Sequence, residues 1–167
     1  MSADVMMSET PGKLKMALVI ATRKRVGLLQ RCLASVEIAA RAVESEISFQ
    51  VWVAINGFDG ESATFLQSYP STSRLRFQIK ELAEAISPAA ARNRLIAQIM
   101  ARNEVRGEAA QTVDWLFFLD DDAFVDPGFF VEFLNSMRRL PKVDVLGGPN
   151  LTPAGSTSFQ IRIKKIS

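Results

Sequence analysis

Short apolar runs alternate along this chain with longer stretches whose apolar residues recur every three or four positions. Met16 to Ala21 (MALVIA) is the first short run and reads as a buried strand. Over residues 26–42, Leu28, Leu29, Cys32, Leu33, Val36 and Ala40 keep helical spacing and predict an amphipathic helix. Gln50 to Ile55 (QVWVAI) predicts a second strand, stopped by the turn signal Asn56-Gly57. A short helix is expected over Glu61 to Ser68, before Pro70. Arg74 to Ile79 alternates apolar and polar residues, as a strand near a sheet edge does. Ser87-Pro88 then supplies an N-cap and a first-turn proline to a helix continuing through AAARNRLIAQIMAR. Residues 103–112 are polar and loop-like. Val113 to Leu119 predicts a fourth strand, and Asp126-Pro127 opens a capped helix carrying Phe129, Phe130, Phe133, Leu134 and Met137. Val143 to Leu146 reads as a last short strand before Gly147-Gly148-Pro149.

Strands alternating with helices imply a mostly parallel sheet, right-handed crossovers and helices on both faces. The expected architecture is a Rossmann-like α/β/α layered domain. Its expected extent is 14–153, preceded by a flexible tail over 1–13 and followed by a basic tail over 154–167. The loops after the first, second and fourth strands would gather along one edge of such a sheet, where open parallel sheets bind ligands.

Composition narrows the chemistry. The chain has 167 residues, 48% of them hydrophobic and 23% charged, which suits one globular domain. A net charge of +2 gives no reason to expect nucleic acid as a partner. With no histidine at all, a histidine base, a Ser-His-Asp triad and histidine-ligated metals are excluded within the chain. One cysteine, Cys32, permits neither an internal disulfide nor a cysteine zinc cluster and suits a reducing cytoplasm. Any metal must therefore take oxygen ligands, which favours magnesium, manganese or calcium. No apolar run approaches the length of a membrane-spanning helix, and the first dozen residues do not read as a secretion signal. A cytoplasmic location follows, with peripheral attachment to the inner face of the membrane as an option.

The sharpest signal is Trp115 to Asp122, WLFFLDDD. Its apolar part reads as a strand buried on both faces, delivering Asp120, Asp121 and Asp122 to a strand end. Three adjacent carboxylates repel one another unless water or a cation neutralises them. The dull alternative is a solvated acidic loop ahead of the next helix. On the functional reading, Asp120 and Asp122 share one side of an extended backbone, so that one reaches a sugar hydroxyl and the other a metal bridging two phosphates. The loop Thr22-Arg23-Lys24-Arg25 follows the first strand. It is either a charged helix start with Thr22 as its cap, or a nucleotide-holding helix N-terminus. Arg92 and Asn93 lie in the first turns of the helix opened by Ser87-Pro88. They are either exposed helix residues or groups directed at a diphosphate. No GxGxxG and no GxxxxGK[ST] accompanies them, so neither dinucleotide binding nor a P-loop is indicated.

In order and spacing, VIATRKRVGLLQRCLASV, VAINGFDGES, SPAAARNRLIA, WLFFLDDDAFVDPGFF and VLGGPNLTP resemble the family 2 glycosyltransferases of the GT-A fold, over about Met16 to Pro153. The resemblance implies transfer of a sugar from a nucleotide-diphospho-sugar donor (a UDP- or GDP-sugar) to an acceptor it does not identify, assisted by Mn2+ or Mg2+. Glycan or cell-envelope polysaccharide synthesis would be the setting. Carried over by motif, the donor-binding residues are Ala21, Thr22, Arg23, Arg92, Asn93, Asp120 and Asp121, with Asn56 or Asp59 at the base. The metal residues of the DxD-type site are Asp120 and Asp122. Inverting members place their catalytic carboxylate after the GGP-like segment, and here no acidic residue follows Asp144. The expectation is thus a donor half present, truncated at the C-terminus, with the acceptor region and the base missing and no catalytic residue identified. The alternative is a catalytically degenerate nucleotide-sugar-binding module or partner subunit, self-associating through uncovered apolar surface. A nucleotidyltransferase ranks below both, because VIATRKR lacks the glycines that a triphosphate loop needs.

Overall fold

A computed structural model of the chain describes residues 12–69, 74–105 and 113–147. The chain divides into two compact units, one ending at Phe133 and one beginning at Leu134. In the first, four strands form one parallel sheet: β1 (Leu14–Thr22), β2 (Ile47–Asn56), β3 (Leu75–Leu82) and β4 (Trp115–Asp120). Their order is β3-β2-β1-β4, which puts β3 at an edge as its alternation predicts. The helices are α1 (Val26–Arg41), α2 (Gly60–Gln67), α3 (Pro88–Val105) and α4 (Phe129–Arg139), the last running across the boundary between the units.

Strand order and chain order together decide which face each helix covers. From β1 to β3 the chain steps one way through α1 and α2; from β3 to β4 it returns past β1 through α3. Right-handed crossovers then put α1 and α2 on one face and α3 on the other. The α3 face is a core of Ala17, Val19 and Ala21 from β1, Trp52 and Ala54 from β2, and Ala91, Leu95 and Ile99 from the helix. The alternate residues point the opposite way. There the rings of Phe49 on β2 and Phe130 on α4 lie 4.7 Å apart, and Phe117 on β4 lies 5.1 Å from Phe129. Burying this many apolar side chains at about 1.5–3 kcal/mol each is what holds the layers together.

Three expectations are corrected. β4 is not buried on both faces: among the described residues it is the outer strand, and Phe118 is 52% exposed on the α3 face. An aromatic run reads as doubly buried whether or not a further strand lies beside it. In the second unit, Val143 to Leu146 forms no strand and Val145 is 84% exposed. No neighbour among the described residues supplies the ladder hydrogen bonds that extended backbone needs. Helix α4 starts at Phe129, two residues after the expected Pro127. Asp126 closes a turn there, its Oδ1 accepting from the Gly128 N–H at 2.8 Å. The basic tail 154–167 and most of the GGP-like segment lie outside the described residues. No helix among the described residues is long and apolar enough to cross a membrane.

Candidate active site at the carboxyl end of the sheet

The strand order reverses between β1 and β4, and in open α/β sheets the crevice at such a reversal is where ligands bind. The register pairs Ala21 with Asp120, so Thr22 and Asp121 are the next residues along, side by side at the strand ends. The buried Thr22 hydroxyl donates to Asp121 Oδ2 at 2.8 Å. Thr22 is therefore not the cap of α1. Arg25 occupies that position, without a side-chain cap bond. Its guanidinium instead reaches across to β4, with Nη2 2.7 Å from Asp121 Oδ1 and Nη1 3.2 Å from Asp122 Oδ2. Asp121 Oδ1 is buried and has no aligned N–H hydrogen bond, so Arg25 satisfies it by charge alone.

Asp120 goes the other way. As the last residue of β4 it points to the α3 face, where Arg92 Nη2 is paired with its Oδ1. Arg92 follows the core residue Ala91, one turn into a helix whose start is fixed as the sequence predicts. The Ser87 Oγ accepts from the Ala90 N–H at 3.2 Å, and the Ser87 carbonyl accepts from Ala91 N–H at 3.0 Å. Another donor of that guanidinium, Arg92 Nε, is buried without a hydrogen-bond partner. Strand geometry ends at Asp120 and residues 121 and 122 form a turn, so period-two alternation does not extend to Asp122. Asp122, half exposed, sits with Asp121 on Arg25 rather than with Asp120 on Arg92. Three carboxylates thus meet two guanidinium groups, leaving one negative charge uncompensated among these five side chains.

The loops after β1 and β2 are tied to each other and to the start of α3. Asp59 caps α2, its carboxylate accepting from the Ser62 amide at 3.2 Å and the Ser62 hydroxyl at 2.7 Å. The same carboxylate takes the Lys24 N–H at 2.5 Å, fixing Lys24 in the left-handed region at φ 52°. Burial acts to raise the Asp59 carboxyl, but the hydrogen bonds from Ser62 and Lys24 outweigh it and hold it below the usual carboxylate range. Asn56 uses both ends of its amide on one residue: it donates to the Ile86 carbonyl at 2.7 Å and accepts from the Ile86 N–H at 2.9 Å. Gly57 has φ 86°, and a Cβ there would meet Ala85 at 3.2 Å. The loop before α3 therefore folds against the β2 turn.

Of the residues expected at this edge, Thr22, Asp121 and Asp122 are joined through Arg25, while Asp120 pairs separately with Arg92, so the strand-end site consists of two groups. Asn56 and Asp59 stand behind it as loop ties. Ala21 is buried in the α3-side core, while Arg23 and Asn93 are exposed. Arg25 was expected only as one of the cations in the loop after β1, with no partner assigned, and Ser62 and Ile86 were not expected. Arg25 was legible as a cation at a helix start three residues after Thr22, but the Ile86 contact spans thirty residues and has no local signal. Cys32 lies beneath the site, its thiol 3.5 Å from the Asp120 carbonyl. Burial, and then the carboxylates of Asp121, Asp122 and Asp120, push it up to about 12. A separate cavity of about 430 Å³ at the opposite end of the strands is lined by Lys13, Glu44, Arg74 and Arg76 among others, and an Arg74–Glu44 ion pair crosses it.

The chain matches the family described as Glycosyl transferase family 2 over residues 17–164. It belongs to that family. Two crystal structures of S. aureus TarS are similar in fold. One, of TarS 1-349, shares 14% identity at a TM-score of 0.59, covering 82% of this chain and 39% of that one. The other shares 14% identity at a TM-score of 0.60, covering 82% of this chain and 23% of that one. At such identity the likeness establishes the fold, the Rossmann-like GT-A α/β arrangement. This family 2 glycosyltransferase domain spans less than two-fifths of the length of either TarS chain. No curated protein matches the chain.

Proposed function

We propose that this edge of the sheet binds a nucleotide-diphospho-sugar together with Mg2+ or Mn2+, as the donor site of a sugar transferase. One observation carries the reading. At the β1/β4 reversal, Arg92 keeps a buried, unpartnered Nε donor while its Nη2 is held by Asp120. Leaving such a group without a partner costs about 1–3 kcal/mol, and a diphosphate oxygen would supply what it lacks. The N-terminus of α3 adds partial positive charge on the same side.

The donor set fits a hard divalent ion. Asp120 and Asp122 offer accessible carboxylate oxygens, Asp121 Oδ1 is a buried acceptor without an aligned hydrogen bond, and histidine is absent from the chain. Among the described residues no group of three acidic or sulfur side chains is arranged to cage an ion alone. An ion bound here would be held by one or two carboxylates and completed by phosphate oxygens and water. Such an ion, when bound, neutralises charge on the departing diphosphate. The chain's own residues do the rest: Arg92 stabilises the negative charge that builds as the bond to the sugar breaks, and Thr22 and Arg25 hold Asp121 so that the strand ends keep their spacing.

With both amide ends of Asn56 on Ile86 and the Asp59 carboxylate on Ser62 and Lys24, these two side chains shape the nucleobase end rather than read it. The three acids here are assigned to the ion and to the two arginines, so none of them is read as the base for the acceptor hydroxyl. The chain alone is therefore expected to bind donor and to transfer sugar poorly. Calorimetry with UDP- and GDP-sugars and Mn2+, set beside a transfer assay on the purified chain, tests both parts. Absence of binding in a folded sample refutes the first, and robust transfer refutes the second. The outer position of β4 among the described residues and half-exposed Phe118 favour, as a second element, association with another copy. A strictly monomeric mass by light scattering removes it.

A further inference from the structure

Arg25 holds two carboxylates at once, and its two grips are unequal. Nη2 lies 2.7 Å from Asp121, which is 1% exposed, whereas Nη1 lies 3.2 Å from Asp122, and both Arg25 and Asp122 are about half exposed. The first contact is shielded from water by burial of its acid. The second is screened by solvent and salt and contributes little. The backbone beneath is pinned, because the Arg25 carbonyl accepts the Leu28 and Leu29 N–H groups at 2.9 and 3.0 Å. Asp121 is pinned as well, its other oxygen being held by the Thr22 hydroxyl. The guanidinium can therefore let go of Asp122 while keeping Asp121, with no change in either strand end.

Resting on the donor-site reading above, we propose that Arg25 is the resident counter-cation of Asp122, displaced from it by the divalent ion that arrives with the diphosphate. The exchange keeps a cation on Asp122 in both states. Before binding, a guanidinium donor faces Asp122; afterwards the ion does, and the freed Nη1 donor is available to a phosphate oxygen. An ion arriving alone has to compete with Arg25 and offers that donor nothing to move to. An ion arriving with a diphosphate gives it an acceptor. Ion and nucleotide should therefore bind with positive coupling, and the coupling should run through this one side chain.

The test is Mn2+ binding followed by electron paramagnetic resonance, first without nucleotide and then with UDP or GDP. It uses the wild-type chain, Arg25→Lys and Arg25→Gln. Arg25→Lys keeps the positive charge but cannot fork between two acids, so it separates displacement of a contact from a general change in field. Without nucleotide, Arg25→Gln should bind Mn2+ about two- to five-fold more tightly than wild type, the range that loss of one half-exposed ion pair allows. Arg25→Lys should shift the same way by a smaller factor, and in both variants nucleotide should enhance Mn2+ binding less. Unchanged Mn2+ affinity in both variants, with wild type still binding Mn2+ and nucleotide together, overturns the role of Arg25 and leaves the donor site standing. A folded wild-type chain that binds no Mn2+ with either nucleotide overturns both.

Discussion

Replacing Thr22 by Val isolates the bond that joins the two strands at the heart of the site. Thr22 and Asp121 are 2% and 1% exposed, and the hydroxyl donates to the carboxylate at 2.8 Å. Valine keeps the branched shape and strand preference of threonine, so packing changes little. What is lost is a hydrogen bond to a charged group, worth about 1.5–3 kcal/mol, and Asp121 Oδ2 is left buried without its donor. Because Oδ1 already lacks an aligned hydrogen bond, the pocket has no spare donor to compensate. A loss near 2 kcal/mol is expected, or about 4–8 °C in Tm for a domain of this size. Urea unfolding of the wild type, Thr22→Val, Asp121→Ala and the double variant gives both the loss and the coupling between the two residues. Coupling of about 1 kcal/mol or more is expected for residues in direct contact. If Thr22→Val stays within about 0.5 kcal/mol of wild type and the coupling vanishes, Asp121 is not held as described.

Three further outcomes follow from the loops and the buried thiol. Gly57→Ala should destabilise by about 1–3 kcal/mol in thermal melts, because φ 86° is strained for alanine and its Cβ would press on Ala85; a neutral result would remove the tight turn from the account. The lowered Asp59 carboxyl contributes stability above the ordinary carboxylate pKa of about 4, and that contribution fades as pH falls through the folded value. Asp59→Asn should therefore cost most at neutral pH, with the gap to wild type narrowing in urea titrations as the pH falls below the ordinary carboxylate value; a gap independent of pH would contradict the hydrogen-bonding described. Cys32, pushed up to about 12, should carry thiolate at only about one part in ten thousand at pH 8. Its alkylation should follow unfolding as urea is added, and complete labelling of the native protein within minutes would place the thiol elsewhere.

Much of this was legible in local signals. Short apolar runs flanked by helical periodicity identify β1, β2, α1 and α3 because burial on a sheet face and on a helix stripe leave different repeats. Ser87-Pro88 fixes the start of α3, and so the position of Arg92, through chemistry confined to one turn. What failed depended on neighbours. Trp115 to Leu119 looks doubly buried on hydrophobicity alone, yet exposure of Phe118 is decided by whether anything lies beyond β4. Val143 to Leu146 has strand-like residues but no strand beside it among the described residues. At the site, the acidic triplet was visible, but its division between Arg92 and Arg25 depends on where the strand ends, which no residue pattern marks. Asn56 carried a turn signal; its role in tying Ile86 into place is a tertiary fact.

Calorimetry of UDP and GDP binding with and without Mn2+, on the wild type and Asp122→Ala, tests the proposed donor site at the β1/β4 reversal most directly. Asp122 is half exposed, so the variant should melt close to wild type. One of the two nucleotides should bind wild type in a Mn2+-dependent manner, and Asp122→Ala should lose at least about ten-fold of that affinity. Nucleotide affinity indifferent to both metal and Asp122, or no binding by a folded chain, would contradict the proposed site.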